Sequence, residues 1–568
     1  MKLENSRLTI EQEQNESIQR FSDDTEILKT GLTLQQAYER IGGFTFFHYW
    51  SSALFIWGFA TGGILFFALA ILEKNPRYLC YKADGTTYEC QADQTFCKDP
   101  SIKYIIDWDY ESSLHNWVQS LDLTCESPAK LGLLGSIYFV GWAIAAIFLP
   151  RLSDIFGRKY VYFISMLLHA IMYLGMIISR NLNLTIVLMG FFGFFSLGRT
   201  SVGYLYMQEL TPTKQQTFIG TFLQIVNGSI ASLIAIYFLY VSKHWLGFQI
   251  FGCVTNFLIA ISIIYLPESP KQLISKKRYE EARDSLRIIA RFNRYKGQID
   301  FKFDREVLDE LQNQTRNNVL SGNEQSYYDQ GFLSQSNSES RKARIMRYGQ
   351  PLNDPQAEPL LSKVDIIREE QQLNGTLKDL IKIRRHMINL LIMICAWIGT
   401  SFNYYLINFQ LKYIKGDFFV NVITASITDM IACFLSGILY QTLGIRVVLV
   451  SCFLISLSGG FFLLIFQNFI SIIPVFILLA RFGVSASFNI CYLANATIFP
   501  TIFAGTAFGI CNTFAKVATI ISPFLAEVEA PVPMAVFCTI TGVVAVLTYF
   551  LQTEPNTQKG EIKMQKNS

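Results

Sequence analysis

The chain has 568 residues, of which 51% are hydrophobic and 16% charged, and its mean hydropathy of +0.29 is too apolar for a soluble protein of this size. A net charge of +4, from 48 basic and 44 acidic residues, gives no reason to expect a nucleic-acid partner. Because the apolar residues fall in long blocks, the composition predicts an integral membrane protein that lies in the lipid bilayer.

The predicted elements begin after a polar segment, 1–45, which has no basic start followed by an apolar run. We therefore expect a cytoplasmic N-terminal segment without a cleavable signal peptide. Crossing the hydrocarbon core takes about 20 apolar residues in a helix, and twelve stretches of the chain meet this requirement. The predicted spans are 46–72, 131–149, 160–178, 184–207, 218–240, 246–266, 387–408, 418–440, 445–466, 470–494, 502–526 and 531–551.

The loop between the first two spans, 73–130, is long and acidic, with six basic and ten acidic residues. The short connection 150–159 is basic instead, so the positive-inside rule places it and both termini in the cytoplasm and the long loop outside. Four cysteines in this outer loop predict two disulfides, with all three pairings open and free thiols or a metal clip as the alternative. They are Cys80, Cys90, Cys97 and Cys125.

The spans divide six and six, into halves 46–266 and 387–551 around a central cytoplasmic loop, 267–386. P-R-L-S-D-I-F-G-R-K after the second span and G-I-L-Y-Q-T-L-G-I-R after the eighth lie 287 residues apart. E-L-T-P after the fourth and T-I-F-P after the tenth lie 288 residues apart. Two offsets that agree within one residue indicate an internal duplication.

The central loop has two parts with different composition. Apolar residues at helical spacing over 271–292 predict an amphipathic helix against the cytoplasmic face. Residues 311–362 are rich in Asn, Gln and Ser, which predicts disorder. A polar cytoplasmic tail, 552–568, follows the last span.

Five stretches are similar to one family of membrane proteins. They are L-Q-Q-A-Y-E-R-I-G-G-F (34–44), N-W-V-Q-S-L-D-L-T-C (116–125), D-I-F-G-R-K (154–159), P-E-S-P-K-Q-L-I-S-K-K-R-Y-E-E-A (267–282) and S-F-N-Y-Y (401–405). These stretches resemble the major facilitator superfamily and, within it, the organic cation/anion/carnitine transporter family. The resemblance covers about residues 33–527 and implies an all-α membrane protein with the major facilitator fold, two six-helix halves and a central substrate site.

The resemblance implies a secondary active or facilitative carrier of small organic ions that works by alternating access. The sequence has no G-x-x-x-x-G-K-[ST] loop, no nucleophile triad and no metal-spaced cluster, so we expect neither an enzyme nor a cofactor. The sequence does not decide whether transport is coupled to another ion or to the exchange of an anion. We expect the protein in the plasma membrane rather than in an internal membrane. A sugar-type carrier and a non-transporting structural or receptor derivative are alternatives.

Ionisable residues inside predicted spans are the main site candidates, because a charge near the bilayer centre costs about 2.5–3.5 kcal/mol and usually faces a cavity or a partner. Lys516 lies in A-K-V-A-T-I-I-S-P, where the family's anion carriers have a cation and its cation carriers an Asp. A buried cation attracts carboxylates, which favours organic anions, unless Lys516 only pairs with Asp429. Asp429 is the expected contact in a cation or carnitine carrier. Arg199 is expected to be structural, with Glu209 as its candidate partner.

Aromatic residues of the seventh span match cavity positions of the family, and they could stack on planar substrates. They are Trp397, Tyr404 and Tyr405. His48 is expected to be a packed histidine of the first span.

The resemblance also assigns four gating residues, Asp154, Arg158, Lys159 and Glu209. In the superfamily such residues form ion pairs between the halves that hold the cytoplasmic gate closed, although Lys159 is equally well explained as a positive-inside anchor. The pattern is incomplete in the second half, where Arg446 is kept but most of the other charges are lost.

Overall fold

The structure is a computed structural model of the chain that describes residues 31–82, 84–310, 313, 380–381, 384–466, 468–499 and 501–552, with the backbone alone described at 441, 495–497 and 501–505. The stretch predicted to be disordered, 311–362, lies outside the described residues apart from residue 313, as do the first 30 residues and the tail after 552.

Twelve helices of the described residues are long and apolar enough to cross a membrane, which confirms the predicted number of spans. They are α1 (Phe46–Leu72), α2 (Pro128–Phe156), α3 (Arg158–Ile178), α4 (Leu182–Leu210), α5 (Thr213–Tyr240), α6 (Leu246–Tyr265), α7 (Arg384–Gln410), α8 (Phe418–Leu443), α9 (Ile445–Ile465), α10 (Ile473–Ile498), α11 (Thr501–Thr519, continued by Ile521–Ala526) and α12 (Val532–Tyr549). The helices form two six-helix halves, α1–α6 and α7–α12, as the sequence predicts.

A glycine breaks the chain at equivalent places in the two halves. Gly157 separates α2 from α3 with φ +111°, and Gly444 separates α8 from α9 with φ +81°. These left-handed angles are unfavourable for residues that carry a Cβ. The two glycines are 287 residues apart, the same offset as the repeated loop motifs that contain them. The duplication is therefore visible in backbone conformation as well as in sequence.

The two halves touch on the side of the loop 73–130, which the loop charges predict to be the outer side. The Ser136 hydroxyl of α2 donates to the Ile520 carbonyl of α11 over 2.7 Å. The Ser426 hydroxyl of α8 donates to the Gly228 carbonyl of α5 over 2.6 Å. Gly135 lies so close to Pro523 that an added Cβ would be 2.8 Å from its side chain. These contacts close the outer side, while a cavity of about 2290 Å³ separates the cytoplasmic ends.

The outer loop folds into a small sheet with strand order β2-β1-β3, formed by β1 (Tyr78–Tyr81), β2 (Thr87–Cys90) and β3 (Tyr104–Ile106). Both neighbouring strands run antiparallel to β1. Two disulfides join Cys80 to Cys90 and Cys97 to Cys125. The predicted number of disulfides is confirmed, and the structure selects one of the three pairings that the sequence left open.

The predicted amphipathic helix over 271–292 is two helices, Pro270–Ser275 and Tyr279–Phe292. The break falls at Lys277, whose φ of +60° ends the first helix. The second helix buries Ala282, Leu286 and Ile289, as its apolar spacing predicts. The segment that follows is tied to the N-terminal segment, because the Asp304 N–H donates to the Leu32 carbonyl over 3.0 Å and the Leu32 N–H donates to the Lys302 carbonyl over 2.9 Å.

Candidate functional site

The large cavity lies between the halves and opens at the loop-motif end of the molecule, which the loop charges assign to the cytoplasm. Residues of α1, α2, α4 and α5 line one wall, and residues of α7, α8, α10 and α11 line the other. Its deeper part contains several large aromatic side chains: Phe66, Tyr138, Trp142, Tyr405, Phe488 and Tyr492. A cavity of this size with aromatic walls suits an organic molecule with an apolar body.

Charged side chains in the cavity wall are mostly basic. Among the described residues that line it, the acidic side chain is Asp154. The basic ones are Arg158, Arg199, Lys214, Arg385 and Arg446. Low-dielectric walls focus such a field, so these side chains make the wall of the cavity electropositive.

Lys516 lies behind the aromatic wall and is 1% exposed. Its ammonium is 3.9 Å from the ring centre of Trp142, 4.8 Å from that of Tyr405 and 5.6 Å from that of Phe488. These three rings line the cavity, so they separate the ammonium from the cavity space. We call Trp142, Tyr405 and Phe488 around the ammonium the Lys516 cage. Trp142 belongs to the N-terminal half and Lys516 to the C-terminal half, so the cage lies across the interface between the halves.

The Lys516 ammonium donates one hydrogen bond, to the Ser401 hydroxyl over 3.2 Å. The Ser401 hydroxyl is in turn 2.9 Å from the Thr519 hydroxyl. Within the described part of the chain, Lys516 forms no ion pair, and its remaining neighbours are ring faces. Cation–π contact offsets only part of the cost of burying a charge. A substrate carboxylate that reaches the cage would supply the missing counter-charge.

Asp429 does not pair with Lys516, so that alternative reading is wrong. Its carboxylate forms a two-pronged ion pair with Arg481 of α10, with contacts of 2.5 and 3.2 Å. Tyr404 and Ser485 donate further hydrogen bonds to the same carboxylate. Because Asp429 is 4% exposed and has four donor contacts, its charge is neutralised inside the C-terminal half.

The three aromatic candidates of α7 have different surroundings. Tyr405 lines the cavity and touches the Lys516 cage. Tyr404 lies under the guanidinium of Arg481, 4.0 Å from ring centre to carbon, and belongs to the Asp429 cluster. Trp397 is fully buried and packs against Phe488 with ring centres 5.9 Å apart. Trp397 and Tyr404 are absent from the described cavity wall, so Tyr405 is the candidate that the structure places there.

Arg199 lines the cavity and does not pair with Glu209, in contrast to the expected structural pair. It lies in a π-helical turn of α4, Gly198–Val202. Its guanidinium donates to the Gly58 and Phe59 carbonyls of α1 and to the Ser196 hydroxyl. A Cβ at residue 62 would lie 2.3 Å from the guanidinium carbon, so Gly62 permits this approach. Carbonyl dipoles hold the cation in place, but its charge has no carboxylate partner among the described residues.

The four gating candidates lie together in the N-terminal half. Arg158 contacts Asp154 at 2.6 Å and Glu209 at 3.4 Å. The Lys159 ammonium donates to the Ile264 carbonyl, which fits an anchoring role. The ion pairs expected between the halves are instead made within one half, because the cavity separates the cytoplasmic ends in this conformation. His48 is buried beside Tyr38 and Phe44, as expected of a packed histidine.

Two residues of the site, Arg481 and Trp142, are not among those predicted from the sequence. Arg481 falls within the predicted span 470–494, and the rule that selected Lys516 would also have selected it. Trp142 has no such signal, since an aromatic residue in an apolar helix most often packs against lipid or a neighbouring helix. Only the packing of α2 against α11 brings Trp142 to Lys516.

Comparison with known proteins agrees with the fold. A family model described as "Sugar (and other) transporter" matches residues 44–320. The chain is 22% identical over 453 residues to "Organic cation/carnitine transporter 2" of Homo sapiens, covering 78% of this chain and 71% of that protein. It is 22% identical over 454 residues to "Solute carrier family 22 member 4" of Mus musculus, with the same coverage of 78% and 71%.

Solved structures with the same fold include the xylose transporter XylE from E. coli. Its inward-open conformation has a TM-score of 0.54 and 13% identity, and the match covers 89% of this chain and 96% of that chain. Its partially occluded inward-open conformation has a TM-score of 0.56 and 12% identity, with coverage of 89% and 98%. These matches support the fold, and the curated relatives are transporters and not enzymes. The chain therefore has the fold of this transporter, and in sequence it is similar to organic cation/carnitine transporters.

Proposed function

We propose that the protein carries small organic anions across the membrane by alternating access. The observation that carries this proposal is the distribution of charge around the cavity. Arg199 lines the cavity and Lys516 lies behind its aromatic wall, and neither has a carboxylate partner in the described part of the chain. Asp429 is the carboxylate that would bind the substrate in a cation carrier, but it forms an ion pair with Arg481.

Lys516 is the proposed anion contact, with Trp142 and Tyr405 as the aromatic faces beside it. A flat aromatic anion would stack on these rings while its carboxylate approaches the ammonium. A charged hydrogen bond of this kind contributes about 1.5–3 kcal/mol. The rings must shift for the carboxylate to reach Lys516, and that movement couples substrate binding to the interface between the halves.

The conformation supports alternating access. The outer side is closed by direct contacts such as that between Ser136 and Ile520, and the other side is open. The internal duplication makes the opposite arrangement available, because each half presents a similar set of helices to the other. Rocking the halves about the central cage would then expose the same Lys516 environment to the outside.

An organic cation or carnitine carrier is the second candidate, favoured by the similarity to an organic cation/carnitine transporter. Carnitine carries both a carboxylate and a quaternary ammonium. Lys516 would bind the carboxylate, and the ammonium would stack on cavity aromatics. A simple organic cation has no free acidic contact in the deep part of the described cavity, which ranks it below the anion.

We further propose that the protein resides in the plasma membrane, with the outer loop facing an oxidising compartment that preserves its two disulfides. Surface labelling of intact cells tests this placement.

An exchanged anion or a coupling ion would be detected by comparing uptake into vesicles with and without a preloaded anion or a pH gradient.

Uptake into proteoliposomes tests the proposal, with a labelled aromatic monocarboxylate, carnitine and tetraethylammonium assayed in parallel. We expect saturable uptake of the carboxylate, reduced at least about tenfold by Lys516→Gln, since a charged hydrogen bond is lost. Lys516→Arg should retain part of the activity. Lys415→Gln, which alters an exposed outer lysine, is the matched control. Uptake of tetraethylammonium alone, or full activity of Lys516→Gln, would contradict the proposal.

A further inference from the structure

Three buried charged side chains meet where the outer ends of three helices converge. Glu73 follows α1, Lys412 follows α7 and Glu527 follows α11. The Lys412 ammonium lies 2.7 Å from the Glu73 carboxylate and 2.8 Å from that of Glu527. The three side chains are 1–6% exposed. We call them the outer cluster, and it joins the N-terminal half to the C-terminal half on the closed side.

The outer cluster has two carboxylates for one ammonium. Glu527 uses its second oxygen to accept a hydrogen bond of 2.5 Å from the Tyr413 hydroxyl. The second oxygen of Glu73, Oε1, is buried and has no hydrogen-bond partner among the described residues. An ionised oxygen without a partner is costly to bury, whereas a neutral carboxyl is much less so. The geometry therefore singles out Glu73 as the group that gains from binding a proton.

Other charged groups near the outer cluster do not supply the missing partner. Lys74 lies over the ring of Phe418 at 4.6 Å, and Asp417 caps the start of α8 by accepting from the Val420 N–H. Burial raises the pKa of Glu73 from its ordinary value of 4.5 to about 7, with Lys412 opposing the rise and Glu527 adding to it. The pKa of Lys412 is raised because the two carboxylates outweigh the effect of its burial. Lys412 therefore stays charged at neutral pH.

We propose that Glu73 is a proton-binding site of an outer gate, and that closing the outer side takes up one proton from the outer solution onto its carboxylate. This inference rests on the alternating access proposed above. When the halves separate on the outer side, water reaches Glu73, its pKa falls towards 4.5 and the proton returns to the outer solution. A group with a higher pKa in the closed form binds protons on closing, so acid favours the closed form.

The size of the effect follows from the two pKa values. Between pH 8 and pH 6 the ratio of closed to open protein should rise about tenfold, since Glu73 titrates in that interval only when closed. Above pH 8 Glu73 is ionised in both forms, and the ratio should become independent of pH. The proton binds and leaves on the same side, so it biases the conformational equilibrium without itself crossing the membrane.

Hydrogen exchange of the full-length protein in nanodiscs tests the proposal, because it needs no substrate. Peptides from the outer ends of α1, α7 and α11 are followed at pH 6 to 8, with correction for the intrinsic pH dependence of exchange. We expect opening in the wild type to fall about tenfold from pH 8 to pH 6. Glu73→Gln should abolish this response, Glu73→Asp should retain it, and Glu89→Gln, at an exposed outer carboxylate, should behave as the wild type.

A wild type without this response, a response of opposite sign, or an unchanged response in Glu73→Gln would each overturn the proton site. The wild type and Glu73→Asp decide the question even where the Gln variant folds poorly. Anion uptake by a wild type that lacks the pH response removes the proton site alone. A clear pH response in a protein that carries no anion keeps the proton site and removes the proposed substrate.

Discussion

The outer and cytoplasmic ends of the two halves use their charges differently. On the outer side Lys412 pairs with Glu73 across the two halves and with Glu527 inside the C-terminal half, and all three side chains are almost fully buried. On the cytoplasmic side Arg158 pairs with Asp154 and Glu209 inside one half, and the Asp154 side chain is 63% exposed. The ion pair between Lys412 and Glu73 joins the halves where they touch. At the open cytoplasmic end Arg158 pairs with residues of its own half, because the other half is too far away.

The difference has an energetic consequence. Removing one partner of a buried ion pair leaves an uncompensated buried charge, which strongly destabilises the protein. An exposed ion pair contributes only about 0–1 kcal/mol to the stability of the fold. We therefore expect charge substitutions to have effects that decrease from the outer cluster to the cytoplasmic mouth.

The largest effect is expected for Lys412→Met, which leaves the carboxylates of Glu73 and Glu527 buried together without their cation. We expect a loss of about 3–5 kcal/mol of stability and faster hydrogen exchange at the outer helix ends. Thermal unfolding in nanodiscs measures the first quantity. Lys415→Met is the control, because Lys415 is exposed and its ammonium donates to Asn468 at the surface. A variant as stable as the wild type would contradict the view that the outer cluster holds the halves together.

An intermediate effect is expected for Arg158→Gln. Glu209, whose side chain is 9% exposed, loses its ion-pair partner, and the cost should be about 1.5–3 kcal/mol. Exchange at the outer helix ends should not change, since Arg158 bonds within one half in this conformation. Arg151→Gln, at an exposed arginine near the end of α2, is the matched control. Increased exchange at the outer ends would show that the two regions are coupled.

The smallest effect is expected for Asp154→Asn. Its carboxylate lies at the surface even though Arg158 is buried, so solvent screens the pair, and the loss should be about 1 kcal/mol and should decrease at high salt. Unfolding at low and high ionic strength measures it. A loss equal to that of Arg158→Gln would mean that Asp154 contributes more than its exposure suggests, as expected if it crosses to the other half in a second conformation.

Much of the fold could be predicted from the sequence. The number of spans, the division into halves and the paired cysteines all follow from hydropathy, repeat offsets and the position of Cys80, Cys90, Cys97 and Cys125. These are local properties of the chain, because a helix in lipid satisfies its own backbone and needs only enough apolar length. The prediction of one helix over 271–292 was wrong only in that the helix is interrupted. The spacing of its apolar residues gives no indication that Lys277 adopts a left-handed backbone conformation.

The candidate site was predicted less completely. Lys516 and Tyr405 were found from the sequence, and both lie at the central cage. Asp429 was found but assigned the wrong partner, and Arg481, its real partner, was overlooked. Arg199 was paired with Glu209, although carbonyls of α1 hold it. A charge inside a span indicates that a partner exists but carries no information about which helix provides it.

The sequence by itself determined that this chain crosses a membrane twelve times and carries unusual charges within those spans. Hydrophobic length and the cost of burying charge are enough for both conclusions. Only the tertiary structure decided which charges neutralise each other and which remain for a substrate or a proton. Ion pairs such as Arg481 with Asp429 and Lys412 with Glu73 join residues 52 and 339 positions apart. Contacts at such separations depend on helix packing, which no local pattern specifies.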